Sequence, residues 1–382
     1  MSAVSGPAVI VGGGIGGLSA AIALRRAGIE ALVFERAPEL RELGAGIGLW
    51  PNATRVLRHW GLLDEVLRRG RRVEVGDMRA SDGRVLTRMR LPDDDCPFVL
   101  IHRAELHAAL ADALPPWAIH LGCDFHGLRE SPSGVTARFG GCGEAEGAFL
   151  VGADGLWSGV RQAVLGDGRP VYRGYPVWRG VADEGAVDPD DLPLIETLGE
   201  GRRFGTVPIG GGRVAWWATA NEPEGTDDGP EGSRARLLRL FRGWHHPIPQ
   251  LLEATPEERI VKSPTYDRPP VRRWGRGRIT LLGDAAHPTT PNLGQGGCMA
   301  IEDGAVLARC LSEAADLESG LRAYEAERYG RTTLITRMSL LTGRIGQWSG
   351  AGARLRDAFY RFSPPKTATR VLRRLTTYDA TA

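Results

Sequence analysis

The sequence is almost without lysine. Only Lys262 and Lys366 occur among its 48 basic residues, and the other 46 are arginine. We read that bias as codon usage rather than as an arginine-rich binding surface, because acids are interspersed along the chain. With 46 acidic residues the formal net charge is +2, so no global field points to nucleic acid or to an anionic membrane as a partner. Cysteine is scarce and odd in number: Cys96, Cys123, Cys142, Cys298 and Cys310. No two are spaced like zinc ligands, no metal site is expected, and a reducing, cytoplasmic setting fits. No apolar run reaches the ~18–20 residues that a membrane span requires. The apolar stretch Ala8–Ala27 lacks a basic leader and is broken by five glycines, unlike a signal peptide. HExxH, GxSxG and P-loop motifs are absent, and no acid–base triad is visible. The Asp93-Asp94-Asp95 run reads as a solvated turn, and His245-His246 as a structural loop pair.

What is present belongs to an α/β protein. The chain has 382 residues, 42% hydrophobic and 25% charged, enough for two or three domains with a sizeable core. Its 52 glycines have no three-residue period. Ala8-Val9-Ile10-Val11 reads as a buried parallel strand. Ile15 to Ala27 reads as a helix, with Arg25-Arg26 in its last turn and Gly28 after it. Ala31 to Phe34 is a second strand. From Val73 to Arg90 and from Tyr172 to Asn221 the texture becomes short β-type runs between turn residues, with a hairpin across Gly210-Gly211-Gly212. After Gly304 the chain is mostly helical. These shifts predict a Rossmann-like nucleotide-binding domain in three segments (1–72, 98–170 and 278–382, the last with the C-terminal helices). A β-sheet-rich substrate domain (73–97 and 171–277) is interleaved between them.

Gly12-Gly13-Gly14-Ile15-Gly16-Gly17 satisfies G-x-G-x-x-G between a strand and a helix, and Glu35 ends the next strand 21 residues after Gly14. Gly12 allows the tight turn, Gly14 lets the backbone approach a pyrophosphate, and Gly17 lets the helix pack on the strand. The free N–H groups at the helix start, from Ile15 onward, favour phosphate. Glu35 is expected to accept from a ribose, with Arg36 a cation beside it. No second G-x-G-x-x-G follows, so a permanently bound nicotinamide with its own unit is not expected.

Two later segments settle the nucleotide: Val151-Gly152-Ala153-Asp154-Gly155-Leu156-Trp157-Ser158-Gly159-Val160-Arg161, and Leu281-Leu282-Gly283-Asp284-Ala285-Ala286-His287-Pro288 running on to Gly297. With the glycine turn, in this order, they resemble the single-component FAD-dependent monooxygenases of the para-hydroxybenzoate hydroxylase fold. Gly44 to Ile47 with Trp50-Pro51-Asn52, His102 to Leu106, and Gly174 to Gly180 resemble the salicylate-, urate- and hydroxynicotinate-hydroxylase sub-group. The resemblance implies FAD as cofactor and NAD(P)H as transient co-substrate. It further implies O2 activation as a flavin C4a-hydroperoxide and oxygen transfer to an aromatic or apolar small molecule, by hydroxylation or epoxidation. The enzyme would be a monomer or homodimer. A flavin halogenase, a reductase or a non-catalytic prenyl-type carrier of the same fold is the alternative; the halogenase Trp-x-Trp-x-Ile-Pro signature is missing.

By the same resemblance, Gly46, Ile47, Arg103, Asp154, Asp284, Pro291, Gly294, Gln295, Gly296 and Gly297 contact FAD, and Pro291, Asn292 and Leu293 lie near the isoalloxazine. A carboxylate at Asp284, just past a short strand, suits ribityl hydroxyls. The helix opening at Gly294 to Gly297 suits the negative charge of reduced flavin. His287 reads as scaffold. For the substrate, strand alternation places Ala215 and Trp217 on one face of Arg213 to Ala220, and Trp216 on the other. Arg203, Ala215, Trp217 and Trp178 are the expected substrate residues. Ala215 falls where urate-type enzymes carry tyrosine, which points away from urate to a bulkier ligand.

Overall fold

The computed structural model describes residues 6–40, 45–91, 96–182, 185, 187–189, 192–363 and 365–382. Gly44 and the Asp93 to Asp95 run lie outside the described residues. Two sheets organise the chain. The first is wholly parallel, with strands in the spatial order Ile279–Leu281, Phe149–Gly152, Ala8–Val11, Ala31–Glu35 and Ile119–Leu121. Its central strand is buried on both faces, which accounts for the unbroken Ala-Val-Ile-Val. One face is covered by the helix Ile15–Arg26, which in turn packs on the long helix Gly296–Glu313. That contact is backbone-close: a Cβ at Gly304 would stand 2.8 Å from the Ser19 main chain. The fold is the mixed α/β architecture expected, drawn together from distant stretches of chain.

The second sheet has seven strands, in the order Val261–Asp267, Val171–Ala182, Arg213–Ala220, Arg202–Ile209, Leu194–Leu198, Val75–Ala80 and Val85–Arg90. All neighbours are antiparallel except Leu194–Leu198 with Val75–Ala80. The hairpin turns at Gly211 and Gly212, whose φ values of 71° and 67° favour glycine. Alternation divides this sheet. Trp178, Phe204, Val214, Trp216 and Ala218 pack against Leu237, Phe241, Leu251 and Leu252 of the outer helices. On the inner face, Val207, Ile209 and Ala215 pack against Ala45, Phe98 and Leu100. A small sheet of Gly46–Leu49, Val99–His102 and Arg71–Arg72 lies at that junction.

The structure pairs Cys123 with Cys142 in a disulfide, leaving Cys96, Cys298 and Cys310 as buried thiols. Nothing in the spacing points to this pair. It forms because the turn after Ile119–Leu121 runs beside the hairpin turn at Gly141, bringing the two Cα atoms to 5.2 Å.

Candidate functional site

The glycine turn is built by exclusion. Gly12 has φ of 104°, and a Cβ there would strike the main chain of Ala153 and Asp154. A Cβ at Gly17 would collide with the Gly12 carbonyl oxygen. At Gly14 the opposite holds: nothing lies within 4 Å of a Cβ position, so the turn faces open space. Gly14 is also the N-cap of its helix and supplies no side-chain acceptor, so the first N–H groups from Ile15 on are left for an incoming anion. The Glu35 carboxylate accepts from the Gly13 N–H at 2.6 Å and the Ala37 N–H at 2.9 Å, which fixes it beside the turn. Arg36 follows, exposed.

One residue bracing this turn escaped sequence reasoning. His107 is buried on the helix Arg103–Asp112, and its Nε2 lies 2.6 Å from the Gly13 carbonyl oxygen. A carbonyl only accepts, so Nε2 carries the proton. Arg103 is one turn earlier on the same helix face, exposed, and near enough to Asp284 and Arg179 to act on both. The only available signal was the i,i+4 spacing in His102-Arg103-Ala104-Glu105-Leu106-His107.

A second uncapped helix start comes from the distant end of the chain. Gly296–Glu313 begins after Gln295, again with no side-chain cap, and Gly294 takes the left-handed conformation at φ 60°. A Cβ at Gly297 would meet Ile47 Cδ1 at 2.8 Å and Ile15 Cδ1 at 3.8 Å, so this helix start, the strand Gly46–Leu49 and the glycine-turn helix converge. Asp284 reaches the same place from the end of Ile279–Leu281, its Oδ1 3.9 Å from a Cβ position on Gly296. Its side chain meets solvent through the cleft, yet protein encloses the cleft. That enclosure pushes the carboxyl up, against the pull of His287 and Arg103. The Gln295 Nε2 amide is buried without a partner among the described residues. Two anion-receptive helix starts, a carboxylate at each of two strand ends and a glycine cradle fit the phosphates, ribose and ribityl chain of FAD.

Other motif residues bond the protein's own scaffold. Asp154 accepts from Ser158 Oγ at 2.5 Å and the Val160 N–H at 3.1 Å, holding the start of the helix Gly159–Val164, while burial pushes its carboxyl up. Arg161 is buried and donates to the Ala285 and Ala286 carbonyl oxygens, both at 2.8 Å, tying the second motif to the third. His287 Nε2 donates to Asp303 at 2.8 Å, as scaffold.

In the second sheet, Arg203, Ala215 and Trp217 share the inner face, with Gly46 packed on Ala215. Arg203 is buried and fully engaged: Nε to Gln347 at 3.2 Å, one terminal nitrogen to Glu196 at 3.0 Å and the other to Asn292 Oδ1 at 2.5 Å. Asn292 also bonds Tyr175, Thr290 and the Ser339 carbonyl, which couples the Pro291–Leu293 turn to the sheet. Pro291 is exposed beside it, and Leu293 packs inward on Met299 and Ile335. Trp178 is separated from this group. It pairs with Ala218 across the sheet, so alternation turns it to the outer face, where its Nε1–H donates to Asp228 at 2.7 Å. The expectation that it lines the pocket is corrected on that parity. Its neighbour Arg179, opposite Trp217, faces inward instead. Among the described residues Arg179 has no carboxylate partner, and its one bond is to Ser263 Oγ at 2.9 Å. Burial, with Arg103 nearby, brings its guanidinium down to about 10.

A parallel sheet with this cradle, joined to a second sheet roofing the cleft, defines an FAD-binding oxidoreductase. Comparison with known proteins agrees. Residues 6–339 match the family described as FAD binding domain. The chain is 44% identical to aurachin C monooxygenase/isomerase of Stigmatella aurantiaca, covering 90% of this chain and 91% of the relative. It is 33% identical to the FAD-dependent urate hydroxylase of Klebsiella pneumoniae, covering 96% of each. The solved structure of Klebsiella pneumoniae HpxO complexed with FAD and uric acid matches with a TM-score of 0.88 at 30% identity, over 97% of this chain and 96% of that one. The chain belongs to this FAD-binding-domain family of flavoprotein monooxygenases. The halogenase, reductase and carrier alternatives are not favoured.

Proposed function

We propose that this monooxygenase uses NAD(P)H and O2 to oxygenate a neutral aromatic or apolar small molecule related to aurachin C, and not urate. The observation that carries the reading is the inner sheet face. The Arg203 charge is already answered by Glu196. Beside it stands the half-buried Trp217 ring, with the guanidinium carbon 5.3 Å from its centroid, and further along the same face lies a buried alanine at 215. Such a surface stacks on a flat ligand, and Arg203 is not free to take an anionic one. FAD, when bound, supplies the electron and oxygen chemistry. The chain supplies the rest. The glycine turn, Glu35 and Arg103 hold the dinucleotide, with Glu35 at the ribose and Arg36 a cation beside it. Gly46, Ile47, Asp284, Pro291 and the Gly294 to Gly297 helix start hold the ring end, and the sheet excludes water above it. Arg179 and Arg103 together take a phosphate of a nucleotide cofactor, since a half-buried cation with no carboxylate partner among the described residues calls for an anion. The domain boundaries proposed are those of the sheets: 73–97 and 171–277 for the substrate unit, the remainder for the FAD unit.

The test is NAD(P)H consumption by the purified flavoprotein with aurachin C and with urate, products followed by mass. Faster consumption and a product heavier by one oxygen atom are expected with aurachin C alone. Turnover of urate instead, or consumption that no aromatic or apolar compound accelerates, would overturn the reading.

A further inference from the structure

The C-terminal helices reverse the usual placement of apolar side chains. Of the twelve large hydrophobic residues exposed among the described residues, six lie between positions 334 and 362. In the helix Gly350–Phe362 the polar side faces in. Arg356 is buried and donates to the Gly346 and Gly199 carbonyl oxygens at 2.8 and 3.0 Å, with Asp357 as its ion-pair partner. Leu355, Phe359 and Phe362 form the outward stripe, 66%, 66% and 77% exposed. The preceding helix, Leu317–Gly346, carries a second outward stripe in which apolar residues and cations alternate: Leu334, Arg337, Leu341 and Arg344. Trp348 continues it just past the helix end and packs against Gly352, where the two stripes meet.

Charge is segregated to the same segment. Residues 334–376 hold nine basic residues and one acid, Asp357, for a net +8. The whole chain is +2, so everything outside the segment sums to −6. The global balance conceals this polarity. Among the described residues Arg337, Arg344 and Arg354 have no carboxylate partner, and Arg370, Arg373 and Arg374 are exposed. A second copy of the chain docked here by two-fold symmetry would oppose like charges. Anionic headgroups over an acyl layer answer both features: Leu, Trp and Phe enter the interface while the arginines reach phosphate.

We propose that the outer face of the helices Leu317–Gly346 and Gly350–Phe362 seats the enzyme on an anionic lipid bilayer surface. The seat is peripheral, since no helix among the described residues is long and apolar enough to cross a membrane.

Flotation of the FAD-loaded enzyme with vesicles tests this, without substrate and so independently of the reaction assigned above. Phosphatidylcholine vesicles are compared with vesicles containing about one-third phosphatidylglycerol. The enzyme is expected to float with the anionic vesicles only, and the bound fraction to fall as salt screens the arginines. Leu355→Ser/Phe359→Ser/Phe362→Ser should lower binding by roughly tenfold or more while bound flavin is retained. Phe362→Ser, the most exposed position, replaces the triple variant if that variant fails to fold. Arg337→Gln/Arg344→Gln should weaken binding to anionic vesicles. Wild-type enzyme that floats with neither vesicle, or serine variants that float as well as wild type, would overturn the proposal. So would a lipid-free dimer in light scattering that the serine substitutions convert to monomer, because the face would then be a self-interface.

Discussion

At the scale of single residues, position relative to the cleft decides function more than motif membership does. Asp154, Arg161 and Asp284 all lie in the two later motifs, yet Asp154 and Arg161 spend their bonds on the scaffold and Asp284 faces the cleft. Asp284→Ala should therefore lower FAD affinity at least about tenfold, the loss of one charge-assisted hydrogen bond of roughly 1.5–3 kcal/mol. Flavin fluorescence on titration reads this directly, and unchanged affinity would remove Asp284 from the site. The two neighbouring tryptophans should separate cleanly. Trp216 is buried, its Nε1–H donates to Thr255 at 2.8 Å, and it stacks on Phe204. Trp216→Ala should cost about 3–5 kcal/mol in denaturant unfolding. Trp217→Ala should leave the fold intact and raise KM or uncouple NAD(P)H oxidation from product. Steady-state kinetics beside an unfolding curve would show an interchange of these effects if the face assignment is wrong. The parity of Trp216 and Trp217 was legible from alternation alone. Trp178 was not, because its face depends on pairing with Ala218, 40 residues away.

At the scale of elements, the helix Gly296–Glu313 carries the site at its start and a buried charge cluster further along. Arg328, from the next helix, pairs with Glu302 and Asp303, while His287 donates to Asp303 from the cleft side. Burial by itself would raise the Asp303 carboxyl, but His287 and Arg328 outweigh it and hold it down to about 2. Its folded value lies below the ordinary 3.8, so its contribution is complete above that pH and is lost as pH falls from about 4 towards 2. The contribution is about 2 kcal/mol. Acid unfolding followed by circular dichroism should steepen in that window. Asp303→Asn should flatten the slope there while lowering stability at neutral pH, because Arg328 loses a buried partner. A slope unchanged by the substitution would show that another carboxylate governs acid stability. None of this cluster was legible in the sequence beyond His287 as scaffold: charges twenty-five residues apart are joined only by the crossing of two helices.

For the whole molecule, distance along the chain and distance in space part company. The parallel sheet takes strands from near residues 8, 31, 119, 149 and 279. The Cys123–Cys142 disulfide closes a separation of 19 residues just past one edge strand of that sheet. Cys142 is exposed, so reductant can reach it. Cys142→Ser, or reductant added to the wild type, should lower stability by about 3 kcal/mol on loop-closure grounds. A melting temperature indifferent to both would mean that the pair does not constrain the unfolded chain. By itself the sequence determined the glycine turn with its acidic partner, the order of the three motifs, the two textures of the chain and the in–out alternation of the hairpin. Each follows from local sterics or from side-chain period, which neighbours within one element decide. Only the tertiary structure decided that His107 braces the turn, that Arg179 lies on the inner sheet face with no carboxylate partner among the described residues, and that two cysteines meet. It also decided that the apolar stripe of the helix Gly350–Phe362 faces outward. A helical period marks an apolar stripe but not its direction, because what lies on the other side is supplied by elements far away in the chain.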